Sequence, residues 1–167
     1  MIKTIFSLAM SAILCSSSFA QCIDFDAKSE LASRFKANQG IVLDTKTSLT
    51  WQRCSVGTTW SSDNSCRGEA QYMSLIAAKE MALSLDGGWR VPNIDELYSI
   101  ADPNCSNPSI NSEAFPNVIE MSEGAPYWSS SKVEDLPMLF YFIDFWDARA
   151  DGHTANFSLA VRLVRDN

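Results

Sequence analysis

The stretch Phe145-Trp146-Asp147-Ala148-Arg149-Ala150-Asp151-Gly152-His153 gathers most of the side-chain types that bind or react: an indole, a guanidinium, an imidazole and carboxylates. It follows an apolar run and is itself polar, the pattern of a loop held on a rigid scaffold. Trp146, Asp147, Arg149, Asp151 and His153 are therefore the candidate ligand-binding residues. Asp144, Asp147 and Asp151 could also ligate calcium together with backbone carbonyls, although their spacing is not that of an EF-hand. No other cofactor is expected. The plain alternative for the same residues is a solvated hairpin.

Catalytic plans are few. The chain has one histidine, so a serine nucleophile would need His153 as its base and a third group to orient it. Ser129, Ser130 and Ser131 lie on an expected buried strand, and no Gly-x-Ser-x-Gly occurs. Asp95 and Glu96 are adjacent, so on a helix they point apart, and Glu96 is already claimed by a helix cap. Gly87-Gly88 closes a helix rather than opening one, so it cradles no phosphate. A zinc site is not expected, because there is no Cys-x-x-Cys and only one imidazole. Tyr127-Trp128 reads as core rather than as a platform for sugar rings. Trp89-Arg90 reads as a joint in which Arg90 pairs with an internal carboxylate or caps carbonyls. The expectation is a domain that binds without chemistry.

Composition narrows the setting. The 167 residues suit one domain, and 46% hydrophobic content with five tryptophans can build a core. Lys3, an apolar run from Ile5 to Cys15 and the small residues of Ser18-Phe19-Ala20 read as an export signal over 1–20. The run is too short to span a bilayer, and no later stretch is long enough. Residues 21–167 then form a single domain, secreted or on the cell surface. Without Lys3 the chain carries 12 basic and 20 acidic residues, a net of −8. Such a chain offers nucleic acid little. Four cysteines remain, and an even count in an exported chain reads as two disulfides. Cys54 with Cys66 would close a local loop, and Cys22 with Cys105 would tie down the N-terminus; spacing alone permits three pairings.

The elements that would position these residues are short. Residues 31–35 suit a short helix or an edge strand. Gly40–Asp44 and Leu49–Arg53 read as a hairpin. Glu69–Leu85 carries the one long helical periodicity, ended by Gly87-Gly88. Asn93 caps a second helix, with Glu96 three residues on. Residues 102–126 are irregular and hold four of the six prolines. Tyr127–Ser130, Leu139–Phe145 and Leu159–Val164 read as strands, with 147–156 as a polar connection between the last two. The sum is α+β: an antiparallel sheet with two packed helices and long irregular loops.

Taken in order, several segments resemble a known family. They are Gly40-Ile41-Val42-Leu43-Asp44, Leu49-Thr50-Trp51-Gln52-Arg53-Cys54, Trp89-Arg90-Val91-Pro92-Asn93-Ile94-Asp95-Glu96-Leu97, Ile110-Asn111, Phe115-Pro116-Asn117, Tyr127-Trp128-Ser129-Ser130-Ser131 and Val161-Arg162-Leu163-Val164-Arg165. Together they resemble the Lcl C-terminal domain family, named after the end domain of a Legionella collagen-like adhesin. The resemblance covers nearly all of 40–165. It implies an exported, C-type-lectin-like domain, which in the founding adhesin is a trimeric binder of sulfated glycans. This chain departs from the founder in lacking a collagen-like repeat and in its charge, which repels polyanions on average. Read this way, the partner is a glycan or an extracellular protein met in adhesion. A subunit or accessory of a surface fibre or pilus, with homo-oligomer or fibre assembly, is the second reading. A hydrolase-like enzyme is the third.

Overall fold

The computed structural model describes residues 21–22, 33–122 and 124–167. The export signal expected over 1–20 lies outside the described residues. So do residues 31 and 32 of the short helix or edge strand expected over 31–35; 33 and 34 are helical, and Phe35 begins an edge strand.

Eleven short strands and two helices are described. The first hairpin forms as its alternation dictates. Strand β3 (Ile41–Asp44) pairs antiparallel with β4 (Leu49–Gln52), flanked by β2 (Phe35–Asn38) and β11 (Val164–Asp166), in the order β11-β4-β3-β2. The turn between β3 and β4 is organised by Asp44. Its carboxylate accepts hydrogen bonds from the Lys46 amide at 3.0 Å and the Thr47 hydroxyl at 2.7 Å. Asp44 also takes both prongs of Arg34, at 2.7 and 2.6 Å, and Arg34 reaches on to the Ser99 carbonyl. One buried carboxylate thus ties the hairpin to a helix end.

The loop after β4 holds its own ribbon, β5 (Thr58–Trp60) against β6 (Cys66–Gly68), closed by the Cys54–Cys66 disulfide. Helix α1 spans Leu75–Leu83 and is shorter than the periodicity suggested. Residues before it are committed elsewhere: the Gln71 amide donates to the Val56 carbonyl, and Met73 and Leu159 exchange both backbone bonds. Ser74 then caps the helix, its hydroxyl accepting from the Ala77 amide. Helix α2 (Ile94–Ile100) starts where expected. Asn93 and Glu96 form a reciprocal capping box at 2.9 and 2.7 Å. Glu96 also receives both prongs of Arg90, at 2.8 and 2.7 Å, so the expected internal partner of Arg90 is the capping residue itself.

Past the irregular stretch, which carries the short β7 (Cys105–Ser106) paired to β1 (Gln21–Cys22), a second sheet forms. Its order is β10-β9-β8, from β8 (Pro126–Val133), β9 (Leu136–Asp144) and β10 (Arg149–Thr154). The central position of β9 agrees with its apolar run. Strand β10 corrects the expected polar connection. An edge strand with solvent on one side needs no apolar alternation, so its pattern is invisible to periodicity.

The expected closing strand is also redrawn, since only Val164–Asp166 joins the first sheet. Residues 159–164 are all buried, and they run extended between the two halves of the core. Leu159, Val161 and Leu163 enter one cluster with Leu75, Ala78 and Trp128. Ala160 and Val164 enter the other, with Trp51, Leu97, Phe115 and Tyr127. The backbone bonds to both sides: it exchanges both bonds with Met73 and with Arg90, and its carbonyls accept from the Trp128 and Val56 amides. Period-two alternation therefore holds, with two cores in place of core and solvent. Trp51 and Trp128 are fully buried. Rings of that size stabilise by about 4–6 kcal/mol each at ~25 cal/mol/Å², as an upper bound.

Candidate binding surface

The hairpin joining β9 to β10 carries the residues singled out above. Its turn is anchored from below by Phe145, fully buried and edge-on to Tyr127 with ring centres 5.2 Å apart. The Phe145 amide donates to the Ala125 carbonyl, and the Phe145 carbonyl accepts from the Ser109 amide at 2.6 Å. Asp144 holds the turn from the other side: its Oδ1 accepts from the Ala125 amide at 2.7 Å and the Trp146 amide at 2.8 Å. Ala148 takes φ of 60° to close the turn. The Trp146 carbonyl is braced by the Ser109 hydroxyl at 3.1 Å. This fixed backbone leaves the Trp146 side chain 36% exposed.

Asp147 and Arg149 meet at the tip. Their side chains pair at 2.5 Å, and the Arg149 amide donates to Asp147 Oδ1 at 3.2 Å. Arg149 is nonetheless 83% exposed, so this pair is screened and stabilises little. Along β10, Arg149, Asp151 and His153 alternate onto one face, opposite Asp144, Phe142 and Phe140 of β9. Asp151 is exposed and accepts from the Gly152 amide. His153 stacks on Phe157 with ring centres 3.8 Å apart, and Phe157 is 45% exposed.

The sequence-selected residues therefore fall into two adjacent groups on one hairpin. Trp146, Asp147 and Arg149 form the tip; His153, with Phe157, forms a stacked pair further along; Asp151 lies between. Phe157 escaped the sequence reading, although an aromatic ring in a polar stretch four residues after the only histidine was a signal. Asp144, Asp147 and Asp151 do not gather around a point. Asp144 spends an oxygen on two amides, and among the described residues no three acidic, histidine or cysteine side chains are placed to hold a metal ion.

Other candidates resolve as parts of the core. Tyr127 and Trp128 are fully buried; the Trp128 indole donates to the Met73 carbonyl at 2.9 Å. Ser129 is buried and its hydroxyl accepts from the Ser131 amide. His153 finds a hydroxyl in Thr154, at 3.4 Å. Among the described residues no helix is long and apolar enough to cross a membrane.

The Lcl C-terminal domain family model matches residues 40–165 of the chain. No curated protein and no solved structure matches it.

Proposed function

The chain belongs to the Lcl C-terminal domain family, and we propose that it acts as an exported, non-catalytic binding domain that recognises a glycan or an extracellular protein in adhesion. Membership in a family associated with a surface adhesin carries this reading. The geometry supports it: a braced hairpin tip presents Trp146, Asp147 and Arg149, and His153, further along the same strand as Arg149, stacks on Phe157. A partly exposed indole and an exposed guanidinium carried on one turn can lie against a sugar face or a peptide and donate hydrogen bonds to it. The Cys54–Cys66 bridge fits an oxidising compartment. A second bridge, Cys22 to Cys105, belongs to the same proposal, since β1 and β7 place those two residues directly opposite each other.

The deciding experiment is a glycan array and a cell-surface binding assay with the mature chain. The expected result is binding that Trp146→Ala and Arg149→Ala abolish while the unfolding midpoint is kept. Binding that survives both substitutions places recognition elsewhere. A negative array, with mass measurements showing large assemblies, replaces this reading with the fibre subunit.

A further inference from the structure

Strand β10 is an outer strand of the second sheet, and among the described residues no strand pairs with its free edge. Two local bonds show which groups point out along that edge. The Gly152 amide donates to Asp151 Oδ1, the carboxylate of its own neighbour, at 2.7 Å, and the Thr154 carbonyl accepts from the Phe157 amide at 3.0 Å in the turn that follows. Neither bond belongs to the β9 ladder. Alternation then turns the amides and carbonyls of Ala150, Gly152 and Thr154 outward, while Arg149, Asp151 and His153 exchange theirs with β9. Among the described residues, Ala150 and Gly152 have no backbone partner on the outer side. The ladder to β9 runs from Arg149 to Thr154 without a bulge, and the strand holds no proline. Both are devices that blunt an exposed edge, and both are missing from β10.

We propose that this edge pairs antiparallel with the same edge of a second copy of the chain, centred on Gly152, to make one six-stranded sheet. The side-chain pattern of the strand selects this occupant. Outward groups must face outward groups, which permits registers centred on Ala150, Asp151 or Gly152. Centring on Asp151 sets its carboxylate opposite that of the second copy and Arg149 opposite His153, like against like. Centring on Ala150 sets Arg149 opposite Asp151, but it runs the ladder into the turn, where Ala148 has φ of 60°. Centring on Gly152 uses the strand itself: Ala150 faces Thr154 of the second copy, and Asp151 faces His153 of the second copy on each side of the axis. The Gly152 amide exchanges its own carboxylate for a carbonyl across the axis, which frees Asp151 for the imidazole. The contact is isologous and stops at two copies, unlike a fibre. Its two-fold axis is normal to the sheet, so both hairpin tips keep to one side, with the Arg149 positions roughly 20 Å apart at ~3.3 Å per residue. A repeated ligand would meet two tips at once. That last consequence rests on the binding role proposed above; the pairing itself does not.

The test is analytical ultracentrifugation of the mature, oxidised chain without ligand. A ladder this short buries less than the roughly 800 Å² per partner of a standard interface, so a monomer–dimer equilibrium with Kd on the order of 100 μM is expected. Asp151→Lys sets a lysine against His153, and His153→Asp sets an aspartate against Asp151. Each alone should weaken association at least about tenfold. An equimolar mixture of the two variants should recover it as a heterodimer. There the new lysine meets the new aspartate, and the unaltered His153 of one chain meets the unaltered Asp151 of the other. In the wild-type chain, hydrogen-exchange protection of the Ala150, Gly152 and Thr154 amides should rise with concentration, a reading that needs no substitution. A wild-type chain that stays monomeric up to about 1 mM overturns the proposal. So does a mixture no more associated than its separate variants, association that both single substitutions leave unchanged, or association without added protection at these three amides, the last two placing the contact elsewhere.

Discussion

The Arg162 guanidinium carbon lies 5.6 Å from the centre of the Tyr127 ring, and both side chains are fully buried. Among the described residues no carboxylate pairs with Arg162. Arg162 instead donates to the carbonyls of Gln52, Arg53 and Asn117 and to the Ser55 hydroxyl, with the Phe115 ring 5.2 Å away. The Tyr127 and Ser55 hydroxyls lie 2.6 Å apart. A charge that is costly to bury is thus held, through its two terminal nitrogens, by carbonyl and hydroxyl oxygens. Burial pulls its pKa below the ordinary guanidinium value.

Removing that side chain takes a donor from four oxygens, of which the Asn117 carbonyl and the Ser55 hydroxyl keep another partner. Arg162→Ala is expected to cost about 3–5 kcal/mol, and Arg162→Lys nearly as much, because one ammonium cannot reproduce the planar fork. Urea unfolding of the oxidised chain measures both. A loss below about 1 kcal/mol for the alanine variant would show that water takes over these oxygens at little cost.

Stability should also fall in acid through Asp44. Burial raises its pKa, but the hydrogen bonds from Arg34, Thr47 and the Lys46 amide, with the Arg34 charge, outweigh that and hold it below the ordinary aspartate value. A depressed folded pKa means that the stabilisation is fully present above the unfolded value, about 4, and is lost as pH falls through the lower folded one. The unfolding free energy should therefore decline below about pH 4. In Asp44→Asn this part of the decline should disappear, together with about 2–3 kcal/mol at neutral pH from the lost charged hydrogen bonds. An identical acid slope in both proteins, measured by denaturant unfolding between pH 2 and 7, would assign the acid loss to other carboxylates.

Much of this architecture was legible in the sequence, and the illegible parts share a cause. Asn93 with Glu96 announced a capping box, and the alternation in 40–53 announced a hairpin, because both depend on neighbours a few residues away. The alternation around Arg162 was equally visible. Its meaning was not, since nothing local says that both faces of 159–164 are buried. Strand β10 went unread because its partner strand, rather than its own side chains, stabilises it. At the candidate surface, Trp146, Asp147 and Arg149 were selected from residue type alone, and the fold brings them together on one turn. The position of Phe157 against His153, and the convergence of Lys79 and Lys132 on Phe140, bring together residues that only the folded sheet makes neighbours.

The hairpin tip should depend on a glycine that never touches a ligand. A Cβ placed on Gly124 would collide with Asp144 Oδ2, so Gly124→Ala must displace the carboxylate that holds the Ala125 and Trp146 amides. We expect a loss of about 1–3 kcal/mol, and a similar loss for Asp144→Ala. The Trp146 indole should then move more freely. Amide hydrogen exchange at 145–148 reads this directly, and unchanged protection in both variants would show that Ser109 and the Asp147–Arg149 pair suffice to hold the turn.

The cysteines give the last prediction. In β1 and β7, Cys22 and Cys105 are directly opposed in an antiparallel pair, where Cα atoms stand about 4.5–5.5 Å apart. A disulfide needs roughly 4.4–6.8 Å, so no backbone movement is required. The Cys54–Cys66 bridge has a Cα separation of 5.6 Å and closes a loop of sequence separation 12. Loop-closure entropy gives such a crosslink about 2–3 kcal/mol, and a Cys22–Cys105 bridge, spanning far more chain, somewhat more. Non-reducing peptide mapping of exported protein should recover two linked pairs, 54 with 66 and 22 with 105, and no reactive thiol before denaturation. Cys54→Ser with Cys66→Ser should lower the unfolding free energy by about 2–3 kcal/mol, and Cys22→Ser with Cys105→Ser by at least as much. Two titratable thiols in the native wild-type chain would leave the N-terminal segment held only by the short β1–β7 ladder, and the disulfide of the β5–β6 loop would then be the only covalent constraint on the domain.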